Sequence, residues 1–292
     1  MVLLAALAFA PVIRLHAQGA AADEEGDSNQ NIHLDGWYRP SQSLEADGAK
    51  PGPAPKHDLS GVWEPVPKYR GGVFASGPTE MPGDAKHEAI MPYTPEGKAA
   101  FLSHHPGFGT TAAPIAEIND PFDICDPIGV PRIDLFNLRG IQIVQTQYQV
   151  LILYQNTRIF RTIWTDGRDF PKDMSEHRWF GYSIGKWVDD NTLVVETRGL
   201  DDRTWIDNVG RPHSDQLVVE ETYHRDDSLT FDLTVKITDP VMYKEPWYAL
   251  KNFHMGMNSP QFDLREMMCS PSEQMEYNKL LHEAVPESSE KK

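Results

Sequence analysis

Cysteine is almost absent from this chain: among 292 residues only Cys125 and Cys269 carry a thiol. Two thiols so far apart are too few for a cysteine-based zinc or iron–sulfur site, which excludes both classes of centre. In an oxidising compartment one disulfide between them would tie the C-terminal arm back to the segment before the first barrel strands. Two buried free thiols are the alternative, and the sequence leaves both open.

Basic residues and long apolar runs are also scarce. Lys and Arg number 27 against 43 Asp and Glu, a formal charge of −16. An acidic chain repels phosphate backbones and anionic lipids, so we expect no nucleic-acid binding. Beyond the N-terminus no apolar run approaches the roughly 18 residues of a membrane span, so we expect no membrane insertion. Residues 1–17 have the apolar core and small residues of a signal peptide, which predicts export to the periplasm or medium with cleavage after Ala17.

Composition then divides the rest of the chain. Residues 18–57 are rich in Ala, Gly, Pro, Asp, Glu and Ser, which predicts a flexible leader. Residues 58–285 are expected to form one domain, and residues 286–292 a disordered tail. Dense prolines and glycines from 65 to 131 predict long loops with one short helix, capped by Thr94 and continuing through Leu102.

Alternation of apolar and polar residues is the strongest structural signal. Leu229, Phe231, Leu233, Val235 and Ile237 are apolar, with polar residues between them, which indicates a strand with one buried face. Similar segments with turn residues between them are predicted at 58–64, 140–147, 149–155, 158–164, 180–187, 192–198 and 215–224. Such short connections leave no room for crossover helices. We therefore predict an all-β, antiparallel up-and-down barrel of about eight strands, with a short C-terminal helix over 273–283.

Two resemblances follow from short motifs. Gly61-Val62-Trp63 in the opening strand resembles the Gly-x-Trp start of lipocalins and other calycins, in which the Trp packs across one end of the barrel. Over roughly 58–250 the chain is similar to a family of secreted bacterial all-β proteins with no settled activity, which implies export and an all-β body. The motifs that carry this second resemblance are Asp166-Gly167-Arg168, Gly181-x-Ser183-x-Gly185-x-Trp187, 192–197, Thr204-Trp205-x-Asp207, Gly210-x-Pro212-His213-Ser214 and Asp239-Pro240 with Tyr243 and Pro246-Trp247.

Several familiar catalytic and cofactor motifs are missing or out of context. Gly181-Tyr182-Ser183-Ile184-Gly185 matches a nucleophile elbow, but no helix follows it, so a strand with closely approaching neighbours is the better interpretation. The eleven histidines form no metal-binding pattern, and His213, His224 and His254 could converge only through the fold. Without a phosphate loop or dinucleotide fingerprint either, we expect no metal and no cofactor.

The preferred site lies in a polar loop between two strands. His213 has the side chain best suited to proton transfer near neutrality, and Asp207 is its predicted partner. Asp166 and Arg168 are expected on the same rim, with Arg168 or Arg161 as anion stabiliser. Arg161 and Glu196 are predicted to form an inward-facing pair. Further ligand-binding candidates are Trp205, Ser214, Tyr243 and Trp247.

These residues lead to a functional hypothesis with two rivals. We expect an exported barrel that takes up a small apolar or aromatic molecule and performs cofactor-independent acid–base chemistry of the lyase, hydratase or isomerase type. The first rival is a non-catalytic carrier of lipocalin type with the same cavity. The second is a structural protein of the cell envelope whose barrel is filled by side chains. Under both rival hypotheses the polar residues of the loop serve only to form turns, and the Asp166–Arg168 ion pair serves only to stabilise a loop.

Overall fold

The computed structural model describes residues 43–45, 47–66, 91–107, 111–114, 117–135, 140–264 and 266–284. The predicted signal peptide and the predicted tail lie outside these ranges, and so does most of the predicted leader. Within the described ranges no helix has the length and apolar character needed to cross a membrane.

Nine β-strands close into one barrel in which each strand pairs with the next along the chain and the last returns to the first. All neighbours are antiparallel except β4 and β5, which run parallel. A ring with an odd number of strands cannot alternate in direction all the way round, so one parallel seam is required. The strands are β1 Gly61–Pro65, β2 Ile141–Gln145, β3 Gln149–Tyr154, β4 Phe160–Trp164, β5 Tyr182–Trp187, β6 Thr192–Arg198, β7 Val218–Arg225, β8 Thr230–Thr238 and β9 Trp247–Met257.

The all-β barrel is therefore confirmed, but the expectation of about eight strands, all antiparallel, is wrong. The strand that the sequence did not predict is β9. Its buried and exposed residues do not alternate regularly, because its register against β8 shifts near Val235 and Asn252 adopts a positive φ of 50°. A bulge of this kind removes the period of two on which strand prediction depends.

The interior is filled by inward-facing side chains. Trp63, Ile143, Ile152, Phe231 and Phe253 are among the fully buried residues of one continuous apolar cluster that spans the barrel. Such burial supplies most of the favourable free energy of folding. Strand β5 begins at Tyr182 and includes Ser183 and Gly185 of the Gly-x-Ser-x-Gly motif, so the motif forms a strand, as the sequence analysis favoured. A Cβ on Gly185 would lie only 2.8 Å from Ile163 Cγ2, so glycine lets β4 and β5 approach.

The two ends of the barrel are closed differently. At one end Trp63 packs edge-on against Phe231, and the Arg225 guanidinium lies 4.9 Å from the indole ring. At the other end the connections β1–β2, β6–β7 and β8–β9 all leave the barrel; we call it the loop end. The connections are bonded to each other there: the Tyr243 hydroxyl donates to the Pro212 carbonyl, and the Ser214 hydroxyl donates to Asp239.

Two helices and one disulfide complete the described chain. Helix α1 (Pro95–Ser103) begins after Thr94, whose hydroxyl accepts from the Gly97 amide, as the capping pattern predicted. Helix α2 (Pro271–Ala284) is the predicted C-terminal helix. A disulfide joins Cys125, in the β1–β2 connection, to Cys269 just before α2, with Cα atoms 5.5 Å apart. The C-terminal arm is thereby fixed to the loop end.

Part of the predicted leader contacts the barrel instead of standing free. The Leu44 amide donates to the Met257 carbonyl, and the His57 ring stacks on Trp187 at 5.1 Å. Lys56 forms an exposed ion pair with Asp190. These contacts use main-chain groups and single side chains, which leave no periodic apolar pattern for sequence analysis to detect.

Candidate functional site

A buried arginine stands in the barrel beneath the loop end. Arg161 on β4 faces inward, and its side chain is 1% exposed. Its guanidinium donates to two carboxylates and two hydroxyls, so each of its nitrogens is bonded. We call this group, with the two tyrosines that bond to it, the Arg161 cluster. Its members are Asp134, Tyr154, Arg161, Ser183, Thr197, Glu221 and Tyr223.

Two carboxyl groups share the one guanidinium. Glu221 on β7 accepts from both terminal nitrogens of Arg161, with Nη1 at 2.8 Å from Oε1. Asp134, from the 3-10 turn Arg132–Asp134, accepts from Nη1 at 3.3 Å. Asp134 and Glu221 are 2% and 0% exposed. The cluster therefore contains one more acid than it has fixed positive charges.

This excess acid changes the protonation of Asp134. Burial raises the pKa of Asp134 to about 7, and the neighbouring Glu221 carboxylate also raises it, although Arg161 and a hydrogen bond from Tyr154 act in the opposite direction. Burial raises the pKa of Tyr154 and of Tyr223 well above the usual value, so both hydroxyls stay protonated. Each donates at 2.8 Å, Tyr154 to Asp134 Oδ1 and Tyr223 to Glu221 Oε1. Asp134 therefore changes between its neutral and ionised forms near neutral pH.

The predicted loop site is buried and differently bonded. Asp207 is paired with Arg211, not with His213, and also accepts from the Val209 amide. His213 Nδ1 lies 3.0 Å from the Ser214 carbonyl and Nε2 lies 2.7 Å from Thr204 Oγ1. Burial lowers the pKa of His213, so the ring is neutral. The predicted Asp207–His213 pairing is wrong because Arg211, four residues along the same loop, reaches the carboxylate instead.

Four other candidates help to build the same loop end. Trp205 is buried and stacks on His104 at 4.5 Å. The Ser214 amide and hydroxyl both donate to Asp239. Tyr243 packs edge-on against Trp247, with ring centroids 5.3 Å apart. Beside them the Asn208 side chain is fully buried, and neither amide atom has a hydrogen-bond partner among the described residues.

The remaining candidates lie on the outer surface. Asp166 and Arg168 form a partly exposed ion pair, and the Arg168 guanidinium lies 3.5 Å from the Trp164 ring centroid. The hydrogen bond from Arg168 lowers the pKa of Asp166. Glu196 pairs with Arg198, two residues along the same strand and on the same face. The predicted Arg161–Glu196 pair is therefore wrong: Arg161 does face inward, but Val195 and Thr197 are the inward residues of β6.

Sequence analysis missed Glu221 and Asp134 for different reasons. Glu221 lies midway between Val219 and Tyr223 in the alternating pattern of β7, and this parity was available as a signal of an inward acid. Asp134 belongs to an irregular loop, where no periodicity indicates which way a side chain points.

A cleft lies on the outer side of the turn that carries Asp134. It has a volume of about 260 Å³, and Ile118, Phe122 and Arg132 contribute to its lining. Arg132 is bonded through both terminal nitrogens to Asp120 at 2.7 Å, while its buried Nε has no partner among the described residues. The single turn Arg132–Asp134 thus separates this outer cleft from the Arg161 cluster.

The chemistry available inside the barrel is that of acids, hydroxyls and one fixed cation. Arg161 already occupies the place between the two carboxyls, so a metal ion there would meet a like charge. The chain matches no protein-family model, no curated protein and no solved structure.

Proposed function

We propose that this protein is an exported β-barrel that binds a small, largely apolar or aromatic molecule at its loop end and performs cofactor-independent acid–base chemistry on it. The proton carrier in this proposal is the Asp134–Glu221 pair, with Arg161 as the fixed positive charge. His213, favoured from the sequence, is assigned to the structure of the loop above and takes no part in the proton transfer.

The observation that carries the proposal is the surplus carboxyl in the Arg161 cluster. A buried ion pair adds little stability compared with apolar side chains of similar size. A second buried acid beside that pair costs more, because it must either hold a proton or bury a net negative charge. Strongly perturbed acids of this kind concentrate at functional sites.

The two acids are suited to different roles. Glu221 accepts from Arg161 and Tyr223, so both of its oxygens are held in place. Asp134 exchanges its proton near pH 7, where a general acid or base is most efficient. A carboxyl whose surroundings bring its pKa near the working pH, beside a fixed cation, is suited to acid–base catalysis.

The reaction class follows from a single mobile proton. Asp134 as carboxylate takes a proton from carbon, and the electrons of that C–H bond form a new double bond. In an isomerisation the proton returns to another carbon. In a dehydration it joins a departing hydroxyl, which leaves as water. Neither reaction consumes a co-reactant.

Ligand access is assigned to the turn Arg132–Asp134. Arg132 contributes to the outer cleft and Asp134 to the Arg161 cluster, so a displacement of this one 3-10 turn would bring Asp134 into contact with a molecule in the cleft. The buried Asn208 amide, at the same end, offers a donor and an acceptor to a bound molecule. The Cys125–Cys269 disulfide supports the export part of the proposal, since such bonds persist in oxidising compartments.

Solvent isotope exchange tests the proposal even while the product is unidentified. The pure protein is incubated in D2O with a panel of small aromatic and alicyclic carbonyl and hydroxyl compounds, and each compound is then analysed by mass spectrometry. We expect at least one to gain deuterium at carbon or to be converted to an isomer or a dehydrated product. Asp134→Asn and Glu221→Gln should each reduce that rate by at least about a hundredfold, the lower part of the usual general acid–base contribution.

The matched controls are Tyr243→Phe and His213→Gln, two buried substitutions at the same end of the barrel but outside the cluster. Both should keep most of the exchange rate. Exchange that stops with His213→Gln and survives both cluster variants would overturn the assignment. Absence of exchange across a panel that contains confirmed binders would overturn the catalytic proposal itself.

One observation favours the non-catalytic alternatives, of which the carrier is the one that this panel can identify. Every polar atom that Arg161 presents is already bonded within the barrel, so the cluster is satisfied without a ligand. In that case a compound from the panel should raise the melting temperature and be recovered from D2O with its mass unchanged.

A further inference from the structure

A group of histidine and acidic side chains lies on the outer wall of the barrel, away from the interior cluster. Asp232 on β8 is the cross-strand neighbour of His224 on β7 and of His254 on β9. All three side chains occupy outward positions of their strands, and Asp226 in the β7–β8 turn joins them. We call Asp226, Asp232 and His254, with His224, the outer-wall cluster.

From this arrangement we infer that the outer-wall cluster is a binding site for a divalent transition-metal ion such as Zn²⁺. Potential ligand atoms of Asp226, Asp232 and His254 lie within 4.8 Å of one another. Bonds of about 2.0–2.2 Å to a shared ion require ligand atoms roughly 3–4 Å apart, so the side chains need to close by only about 1 Å. The proposal is independent of the proposed function.

His224 on the adjacent strand lies beside Asp226 and is the candidate for a fourth ligand. Its Nε2 lies 3.9 Å from Asp226 Oδ1, and its Nδ1 lies 2.8 Å from Thr192 Oγ1. A hydrogen bond at one ring nitrogen orients the other toward a metal, which is the usual outer-shell arrangement of histidine ligands. Asp226 is exposed, so an ion can enter from solvent.

The donor set determines the class of ion. Imidazole nitrogen combined with carboxylate oxygen suits Zn²⁺, Ni²⁺ and Co²⁺, whereas Mg²⁺ and Ca²⁺ require oxygen ligands. The negative charge of the cluster also favours binding of a cation. Glu45 adds a third carboxylate beside Asp226 and Asp232, and its Oε2 lies 3.8 Å from His254 Nε2. A cation bound among these carboxylates would reduce their mutual repulsion.

The histidine spacing along the chain does not show this site. His224, Asp232 and His254 lie on three different strands, and only the register of the barrel brings them into one row. Our expectation of no metal site was based on sequential motifs, which cannot detect ligands that converge through cross-strand pairing.

The test is a metal titration of the full-length protein after treatment with EDTA. Isothermal titration calorimetry and thermal denaturation are carried out with ZnCl2, NiCl2, MgCl2 and CaCl2. We expect Zn²⁺ and Ni²⁺ to bind and to raise the melting temperature, with no comparable effect of Mg²⁺ or Ca²⁺. Asp232→Asn and His254→Gln should each weaken Zn²⁺ binding by at least about tenfold.

Glu220→Gln is the matched control. Glu220 lies on β7, faces outward like His224 and pairs with Lys236 instead of the cluster. It should leave Zn²⁺ affinity unchanged. If Asp232→Asn fails to fold, Asp226→Asn in the turn tests the same site. The proposal is overturned if Zn²⁺ does not bind, if the cluster variants bind it as tightly as the wild type, or if Mg²⁺ binds equally well.

Discussion

Two fully buried arginines stand at the same end of this barrel with different complements of acid. Arg211 pairs with Asp207, a residue of its own loop that also accepts from the Val209 and Arg211 amides. Arg161 bonds to two acids from other elements, Glu221 from β7 and Asp134 from the β1–β2 connection. The first pair holds a turn in shape. The second group has a surplus acid whose proton is exchangeable near neutrality, and that difference separates a structural ion pair from a candidate for chemistry.

The largest expected difference comes from removing each arginine. Removing one partner of a buried pair typically costs about 3–5 kcal/mol of unfolding free energy. Arg161→Met should lie at the upper end of that range because it removes the cation shared by two buried acids. Arg211→Met should lie at the lower end because Asp207 keeps the hydrogen bonds from the amides of residues 209 and 211. Urea denaturation at about pH 7.5 measures both. Equal losses, or a larger loss for Arg211→Met, would contradict the comparison.

The second prediction concerns pH. The pKa of Asp134 is about 7 in the folded protein and ordinary in the unfolded chain, so between about pH 4 and pH 7 only the folded state holds this proton. Raising the pH through that window therefore lowers stability, by up to about 1.4 kcal/mol per pH unit. Asp134→Asn carries no such proton, so its stability relative to the wild type should improve by roughly 2–3 kcal/mol between about pH 5 and pH 8.

Unfolding free energies measured across that pH range test this prediction. Tyr243→Phe is the control, because it removes a hydroxyl at the loop end that bonds to a carbonyl and to no acid among the described residues. Its profile should run parallel to that of the wild type. A parallel profile for Asp134→Asn as well would show that Asp134 does not exchange its proton in this window.

The smallest expected effect compares two buried tyrosine hydroxyls. Tyr223 donates to the Glu221 carboxylate, and Tyr243 donates to the Pro212 carbonyl. Hydrogen bonds to charged groups contribute about 1.5–3 kcal/mol, and those between neutral groups about 0.5–1.5 kcal/mol. Tyr223→Phe should therefore destabilise the protein by roughly 1 kcal/mol more than Tyr243→Phe in chemical denaturation. The reverse order would contradict this comparison of the two hydroxyls.

The sequence predicted the fold better than the site. Period-two alternation located eight of the nine strands, because each buries one face in a common core. It failed at β9, where a bulge interrupts the alternation. The inward direction of Arg161 was also predictable, since Ile163 shares its face of β4.

The partners of Arg161 were not predictable in the same way. The acid that lies beside Arg161 depends on the register of the strands and on how the sheet closes into a barrel. A period-two pattern gives neither. Asp134 reaches it from an irregular turn whose direction has no sequence signature. The outer-wall cluster illustrates the same limit, because its ligands become neighbours only when three strands align.

The parallel seam gives Arg161 a second importance. The ladder between β4 and β5 has only two paired positions, Ile163 with Ser183 and Trp164 with Ile184. Arg161 extends from β4 across this short ladder to Ser183 on β5, Thr197 on β6 and Glu221 on β7. Where the main chain contributes least to joining the two edges of the sheet, one guanidinium spans the gap. Arg161, which influences the protonation of Asp134, therefore also stabilises the closure of the barrel between β4 and β5.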